Sequence, residues 1–472
     1  MPNFERQYNN KKTSLNFRPN SNGKSRLPPI ADDVIQRAIG FEMETGWPVM
    51  KNPRAEFDPN EYEQLTHQNC YPVNHSFFKH PAGFKAKTDD GISTYSYDFS
   101  VMELETDAFE ETPLGFFQMR EAIAKSMEFL SQLKKVGLEK GYVDMKEFPD
   151  MGGKIVDSDA IVFSASVGAA AKEMEFGVKM QGTAGVDLRQ IQRLFEHIGM
   201  PQNGEDQGQG DRLRYGRCYL GGLTPELIAK KQLSCTYRHA LKALSITLME
   251  MHEEMAGRFR TRADQLLAWQ PSRQFENLLL LLIYALISTK KAIKNYAKSA
   301  FRLLIRTDFS FIYKLLPDLD RQILEENDLE LWDFIFELVM DTLQTKLELP
   351  VFEKGVYHDR VKYHRSGIDT FNALTKKDWL SNIPKGVDML TAKNFPDRSV
   401  AGKLESIGGF GSKVDSVGKD RVPAPIFEFR SFPQMSNEDV EAACNNFFIY
   451  IMGLNRGEDY CYGEDSSPFL RC

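Results

Sequence analysis

Cysteine is scarce in this 472-residue chain, and the six present stand without the paired spacing of a metal knuckle. Neither a zinc site nor a disulfide framework is expected, and reduced thiols fit a cytoplasmic protein. Histidine is almost as rare at eight; His67, His75 and His80 fall in loop-like sequence with spacings that match no ligand motif, so packing or surface roles are expected. Long apolar runs are missing as well. The longest, Leu278 to Ile287, is too short to span a bilayer and is followed by Lys290, Lys291 and Lys294, which reads as a buried helix and no membrane span. The first thirty residues have no apolar stretch of the kind a secretory signal needs. Residues 1–32 instead carry Lys11, Lys12, Arg18, Lys24 and Arg26 among Asn and Ser, a composition that predicts a disordered basic arm. An excess of positive charge is absent overall: the net charge is −7, so no nucleic-acid partner is expected. No fixed-period repeat is visible.

What is present is a globular composition, 42% hydrophobic and 26% charged, with enough residues for one large elaborated domain or two to three ordinary ones. Against that background one short pattern recurs three times. Ile39-Gly40-Phe41-Glu42-Met43-Glu44-Thr45 alternates apolar and acidic side chains, as a strand with one greasy and one charged face must. Val101-Met102-Glu103-Leu104-Glu105-Thr106 repeats it, and Ile426-Phe427-Glu428-Phe429-Arg430 repeats it with a cation in second place. Carboxylates two residues apart on a strand lie roughly 7 Å from each other. At an effective dielectric near 20 each such pair costs about 2 kcal/mol. Five glutamates on one sheet face would sum to an amount comparable with a domain's stability of about 5–15 kcal/mol. Such a face demands cations. Arg430 supplies one, and hard divalent ions, Mg²⁺ above all, would supply others. Taken singly, each strand reads as a polar face turned to water; the three together read as a site.

Around these strands the chain is mixed α and β. Residues Gly115 to Lys135 place Phe117, Ile123, Met127, Phe129, Leu130 and Leu133 at helical spacing, which predicts a helix after the second acidic strand. A further strand is expected over Phe176–Thr183, with Lys179 and Gln181 on one face, then a helix capped by Asp187 and striped by Ile191, Leu194 and Phe195. Residues 224–346 are predominantly helical, a layer or an insertion. The glycine-rich Ile407–Lys413 segment lacks Walker spacing and reads as a loop before the third charged strand. A helix follows from Asn437 to Leu454, burying Val440, Cys444, Phe447, Phe448 and Ile451.

The order of motifs resembles the amidoligase group of carboxylate–amine ligases, related to glutamate–cysteine ligases. The resemblance is carried by Gly40-Phe41-Glu42-Met43-Glu44, Glu103-Leu104-Glu105-Thr106, Thr183-Ala184-Gly185-Val186-Asp187-Leu188, Arg306-Thr307-Asp308-Phe309 and Phe427-Glu428-Phe429-Arg430. It implies an α+β fold of glutamine-synthetase-like type: an antiparallel sheet with a charged concave face backed by helices, plus a large helical region. Residues 33–223 would open the catalytic domain, 224–346 would form the helical layer, and 347–472 would complete it. It further implies ATP and Mg²⁺ as cofactors, a carboxylate substrate and an amine acceptor, and an acyl phosphate between them. Glu42, Glu44, Glu103, Glu105 and Glu428 become metal-ligand candidates, Arg430 the phosphate clamp, and Arg306 a second phosphate or substrate contact. Where relatives often carry histidines on the central strand, this chain has Lys179 and Gln181, which are expected at the nucleotide. A phosphotransferase on a related fold and a noncatalytic nucleotide-binding scaffold are the alternatives.

Overall fold

The computed structural model describes residues 37–52, 71–72, 74–90, 100–138, 140–163, 178–199, 234–287, 303–305, 307, 309–349, 383–384, 424–429, 434–435, 437–457, 460–461 and 470–471. The basic arm, the Ile407–Lys413 loop, Arg306 and Arg430 lie outside them.

In chain order the strands of interest are β1 (Ala38–Lys51), β2 (Ser76–His80), β3 (Phe84–Asp90), β4 (Ser100–Thr106), β5 (Phe109–Glu110), β6 (Tyr142–Asp144), β7 (Lys154–Ile155), β8 (Ala160–Phe163), β9 (Val178–Gly185), β10 (Leu303–Ile305), β11 (Ile426–Phe429) and β12 (Gln434–Met435). The helices are α1 (Pro113–Gly137), α2 (Ile191–Gly199), α3 (Ser234–Arg258), α4 (Ala263–Ala268), α5 (Arg273–Ile287), α6 (Phe309–Lys314), α7 (Asp318–Glu325), α8 (Glu330–Asp341) and α9 (Asn437–Asn455). The fold is thus mixed helix and antiparallel sheet, the α+β class expected. The chain divides into two compact units, one comprising residues 1–183, 431–452 and 463–469, the other residues 184–430, 453–462 and 470–472. The division falls after Thr183, inside β9.

The first unit is built on a sheet ordered β9-β1-β4-β3-β2-β7, with β12 beside β9, β5 and β8 also on β1, and β6 on β8. Alternation along β1 and β4 buries Phe41, Met43, Met102 and Leu104 on one side. Against that side lies α1, whose Phe129 stacks on Phe78 of β2 at 4.5 Å between ring centres. The early part of α9 covers the same apolar side, with Phe447 edge-on to Phe41 at 5.7 Å and the Cys444 thiol 3.0 Å from the Met180 sulfur. Each of these side chains removes most of its surface from water, roughly 1.5–3 kcal/mol apiece. Helix α1 begins where Thr112 caps it through a hydrogen bond from the Gly115 N–H, with Pro113 at the first helical position. Its buried stripe runs through Phe116, Met119, Ile123, Met127, Leu130 and Leu133, whereas Phe117 faces outward. The expected stripe had the neighbouring phenylalanine; the helix phase set by the later residues selects Phe116.

In the second unit Asp187 caps a 3₁₀ turn, accepting from the Arg189 N–H at 2.8 Å, and α2 follows with Ile191, Leu194 and Phe195 fully buried. Phe195, Tyr237 of α3 and Tyr284 of α5 form a ring cluster with centres 5.1–5.4 Å apart. Helix α5 carries the long apolar run predicted, buried from Leu278 to Tyr284. No helix among the described residues is long and apolar enough to cross a membrane. Strands β10 and β11 pair antiparallel, Leu304 opposite Glu428.

Candidate functional site

The charged face of the first unit's sheet follows from strand register. β1 and β4 are antiparallel neighbours with Glu42 directly opposite Glu105 and Glu44 directly opposite Glu103. Four carboxylates therefore share one face, as the alternation required. The register shifts between Glu44 and Pro48, where Gly46 adopts φ +69° and buried Trp47 re-enters the strand. This bulge ends the acidic run, a common arrangement beside sites.

The other side of β4 meets β3, whose alternate residues Lys85, Lys87 and Asp89 were not among the expected site residues. Lys85 lies opposite Glu105, Lys87 opposite Glu103, and Asp89 opposite Val101. Lys85 Nζ is 3.1 Å from Glu105, while Lys87 Nζ is 3.0 Å from Glu103 Oε2, also contacts Glu105, and donates to Asn74 Oδ1 at 3.1 Å. Among the described residues, the lysines that contact Glu103 and Glu105 thus come from β3. The signal was present as Lys-x-Lys-x-Asp, complementary in period to Glu-x-Glu. It escaped because the sequence around His75 and His80 reads as loop.

Burial sharpens the electrostatics. Lys87 is 6% exposed and Glu103 3% exposed. Burial, then the nearby Glu42 carboxylate, pushes Glu103 up to about 8 against the pull of Lys87, and Asp89 adds to the rise. Burial would likewise raise Glu105, but Lys87 and Lys85 outweigh it and hold that carboxyl below its ordinary value. Burial opposes the Lys87 charge, yet Glu103 and Glu105 keep its pKa above the usual lysine value. Burial and Glu42 thus oppose the Glu103 charge that Lys87 favours.

One carboxylate oxygen from each of Glu44, Asp89 and Glu103 lies within 4.8 Å of the others. At that spacing and an effective dielectric near 20, each ionised pair repels by about 3–4 kcal/mol. Gln181 of β9, 9% exposed, adjoins them: its Nε2 donates to Glu44 Oε1, and its buried Oε1 has no hydrogen-bond partner. The donors are all oxygens, the set a hard divalent ion such as Mg²⁺ takes.

The expected residues are distributed as follows. Glu42, Glu44, Glu103, Glu105 and Gln181 meet on one face, and Lys179, two residues before Gln181 on β9, shares its side of the strand and is exposed. Glu428 is buried on β11 in the second unit. Arg306 and Arg430 lie outside the described residues. His75 and His80 have structural partners, as expected: His75 Nε2 is 2.9 Å from Asp157 Oδ2 with its ring stacked on Tyr71, and His80 Nε2 is 3.2 Å from the Met151 carbonyl.

No family model, curated protein or solved structure matches the chain.

Proposed function

We propose that this chain is an ATP- and Mg²⁺-dependent carboxylate–amine ligase that forms an amide through an acyl phosphate. The observation that carries the reading is the polarity of one sheet face. Across five strands, one cross-strand row reads Glu42, Glu105, Lys85, Lys79, Lys154, acid at β1 and β4 and base at β3, β2 and β7. A metal–polyphosphate has the same polarity, with cation at one side and anionic oxygens at the other. Bound beside the carboxylates, Mg²⁺ would offset charge on the phosphate oxygens. Glu44, Asp89, Glu103 and Gln181 are the residues that would hold it, and Lys179 and Lys85 are within the same face to receive phosphate oxygens.

In this reaction a substrate carboxylate oxygen attacks the terminal phosphorus and ADP leaves. The amine nitrogen then attacks the acyl carbon, inorganic phosphate departs with the activating oxygen, and the nitrogen gives up a proton. The lysines' contribution is positional and electrostatic, which is most of what phosphoryl transfer requires of a protein. The test is to incubate the purified chain with ATP, Mg²⁺ and pooled carboxylates, amino acids, peptides and amines. ADP and phosphate should appear together with a product lighter by one water than its two substrates, and Glu42→Gln or Glu44→Gln should abolish both. Absence of Mg-ATP binding and turnover with every pool sinks the reading; a stable phosphoryl adduct replaces it with a phosphotransferase.

A further inference from the structure

We propose that Lys79 and Lys154, at the basic end of the sheet face, dock an extended acidic peptide, so that the carboxylate substrate of the ligase is a segment carrying several Asp or Glu side chains. The substrate role rests on the ligase reading; the docking itself needs neither nucleotide nor catalysis.

Strand register places the two lysines. Lys79 of β2 stands directly opposite Lys85 of β3 on one side and Lys154 of β7 on the other, so three ammonium groups leave one face from adjacent positions. Like charges placed opposite each other repel. Lys85 is relieved by Glu105 at 3.1 Å, but Lys79 and Lys154 are exposed, and among the described residues no carboxylate lies within ion-pair distance of either. Packing on the apolar side of the sheet holds them together. A Cβ on Gly153, the residue before Lys154, would lie 2.2 Å from the Phe78 ring, so β7 sits this closely on β2 only because that position is glycine. His80 Nε2, 3.2 Å from the Met151 carbonyl oxygen, ties the preceding turn to the same strand. The pairing that opposes the lysines is therefore built into the sheet.

Their distance from the acidic strands sets them apart from the ion. At about 4.8 Å between neighbouring strands, Lys79 and Lys154 stand about 10 and 14 Å from Glu105, one and two strands beyond Lys85. A phosphate oxygen bonded to an ion among the carboxylates lies only about 2.0–2.6 Å from that ion, which leaves the two outer lysines to a different anionic group. An extended peptide repeats a side chain on one side roughly every 7 Å, and the flexible four-carbon stem of lysine adapts to that spacing. Strands β2, β3 and β7 contain no arginine, hence none of the planar forks that fit phosphate bidentately. The net charge of −7 works against a long polyanion such as nucleic acid. Val156, directly after β7 and 46% exposed, sets an apolar contact beside Lys154 that peptide side-chain stems can cover and a small anion cannot.

The probe is a fluorescein-labelled peptide of eight glutamates, read by anisotropy against the full chain at low salt, with a peptide of eight glutamines for comparison. The glutamate peptide should bind and the glutamine peptide should not, and binding should weaken as salt is raised. Lys79→Gln and Lys154→Gln should each weaken it about two- to fivefold, and the double variant about tenfold, the scale of exposed ion pairs. Lys125→Gln, the same charge change made on α1 across the sheet, should bind as the natural chain does. Amide-exchange protection of β2 and β3 checks that each variant keeps the sheet. A glutamate peptide that binds no better than the glutamine one, a folded double variant that binds it unchanged, or inorganic phosphate or a single-stranded oligonucleotide that binds these lysines more tightly overturns the proposal. Peptide binding without ATP turnover leaves the docking surface standing and removes the ligase; ATP turnover with small carboxylates that acidic peptides neither support nor inhibit keeps the ligase and removes the peptide as its substrate.

Discussion

Replacing Lys87 by Met keeps the aliphatic stem and removes an ammonium that touches both Glu103 and Glu105. The cost of that change should depend on pH in a way that identifies Lys87 as the counter-ion of the acidic face. At 3.0 Å and an effective dielectric near 20, a charged Lys87–Glu103 pair attracts by about 5–6 kcal/mol. Lost hydration of the two ions offsets part of this, and breaking a buried pair costs a net 3–5 kcal/mol, roughly. Without Lys87 the buried carboxyl keeps its proton instead of standing as a bare charge, so for a group that ionises at about 8 the extra cost at pH 9 is limited to about 1.4 kcal/mol. At pH 6 Glu103 holds its proton, and Lys85, 3.1 Å from Glu105, still covers the remaining carboxylate. The expected penalty there drops to about 1–2 kcal/mol, the worth of hydrogen bonds to one charged group.

Hydrogen exchange of peptides covering β1, β3 and β4, measured at several urea concentrations, gives the opening free energy of this sheet without requiring the whole chain to unfold in one step. Lys87→Met should lower it by about 1–2 kcal/mol at pH 6 and by about 2–3 kcal/mol at pH 9. Adding Glu103→Gln should remove the extra loss at pH 9, because the double variant has no carboxyl at that position to ionise. A penalty equal at the two pH values, or a Lys87–Glu103 coupling below about 1 kcal/mol at pH 9, would refute the reasoning.

Glu103→Gln alone tests the raised carboxyl. The native state keeps on Glu103 a proton that the unfolded chain releases near 4.5, so stability is fullest below 4.5 and falls as pH rises towards about 8. The variant should flatten that decline, whose slope is at most about 1.4 kcal/mol per pH unit, in melting curves recorded from pH 5 to 9. Gly115→Ala should also reverse an ordinary rule. Alanine normally favours a helix over glycine by about 1 kcal/mol, but a Cβ at Gly115 would sit 1.9 Å from the Glu110 carbonyl oxygen, which is backbone and cannot swing aside. A loss of about 3 kcal/mol or more is expected by thermal denaturation, and unchanged stability would contradict the packing of α1 on β5.

The acidic strands were legible because Glu-x-Glu between Phe, Met and Leu leaves little choice of period, and the helix over residues 437–454 because its buried face is strongly apolar. Register was not legible. Nothing in the composition of β1 or β4 says that Glu42 meets Glu105 and not Glu103, since a shift of two residues keeps every side chain on its own face. Strand β3 was hidden for a different reason. Lys and Asp have low strand propensity, and its buried side is only Phe84, Ala86 and Thr88, too thin an apolar pattern to announce a central strand. Its place between β2 and β4 comes from tertiary pairing, and with it came Lys85, Lys87 and Asp89. The departure at Gln181, where histidines were expected by resemblance, looked like a defect in sequence. In the fold, its carboxamide nitrogen reaches Glu44 and its buried oxygen has no hydrogen-bond partner.

Like charges opposed across strands are destabilising, and this face contains them at both ends. Glu42 opposes Glu105 and Glu44 opposes Glu103 on the acidic side; Lys85 opposes Lys79, which opposes Lys154, on the basic side. Random surface charge would be expected to intermix the signs, since pairing Lys with Glu across each ladder relieves both. In the row from Glu42 to Lys154 the signs meet between β4 and β3, where Lys85 binds Glu105. Neighbouring strands are about 4.8 Å apart, so the row from Glu42 to Lys154 separates acid from base over about 19 Å. That exceeds the Debye length of about 8 Å at physiological ionic strength, so salt screens the two ends from each other while leaving each end's local repulsion in place. Along this row like charges stay opposed at each end, and a ligand that brought a cation to one end and anionic oxygens to the other would offset both at once.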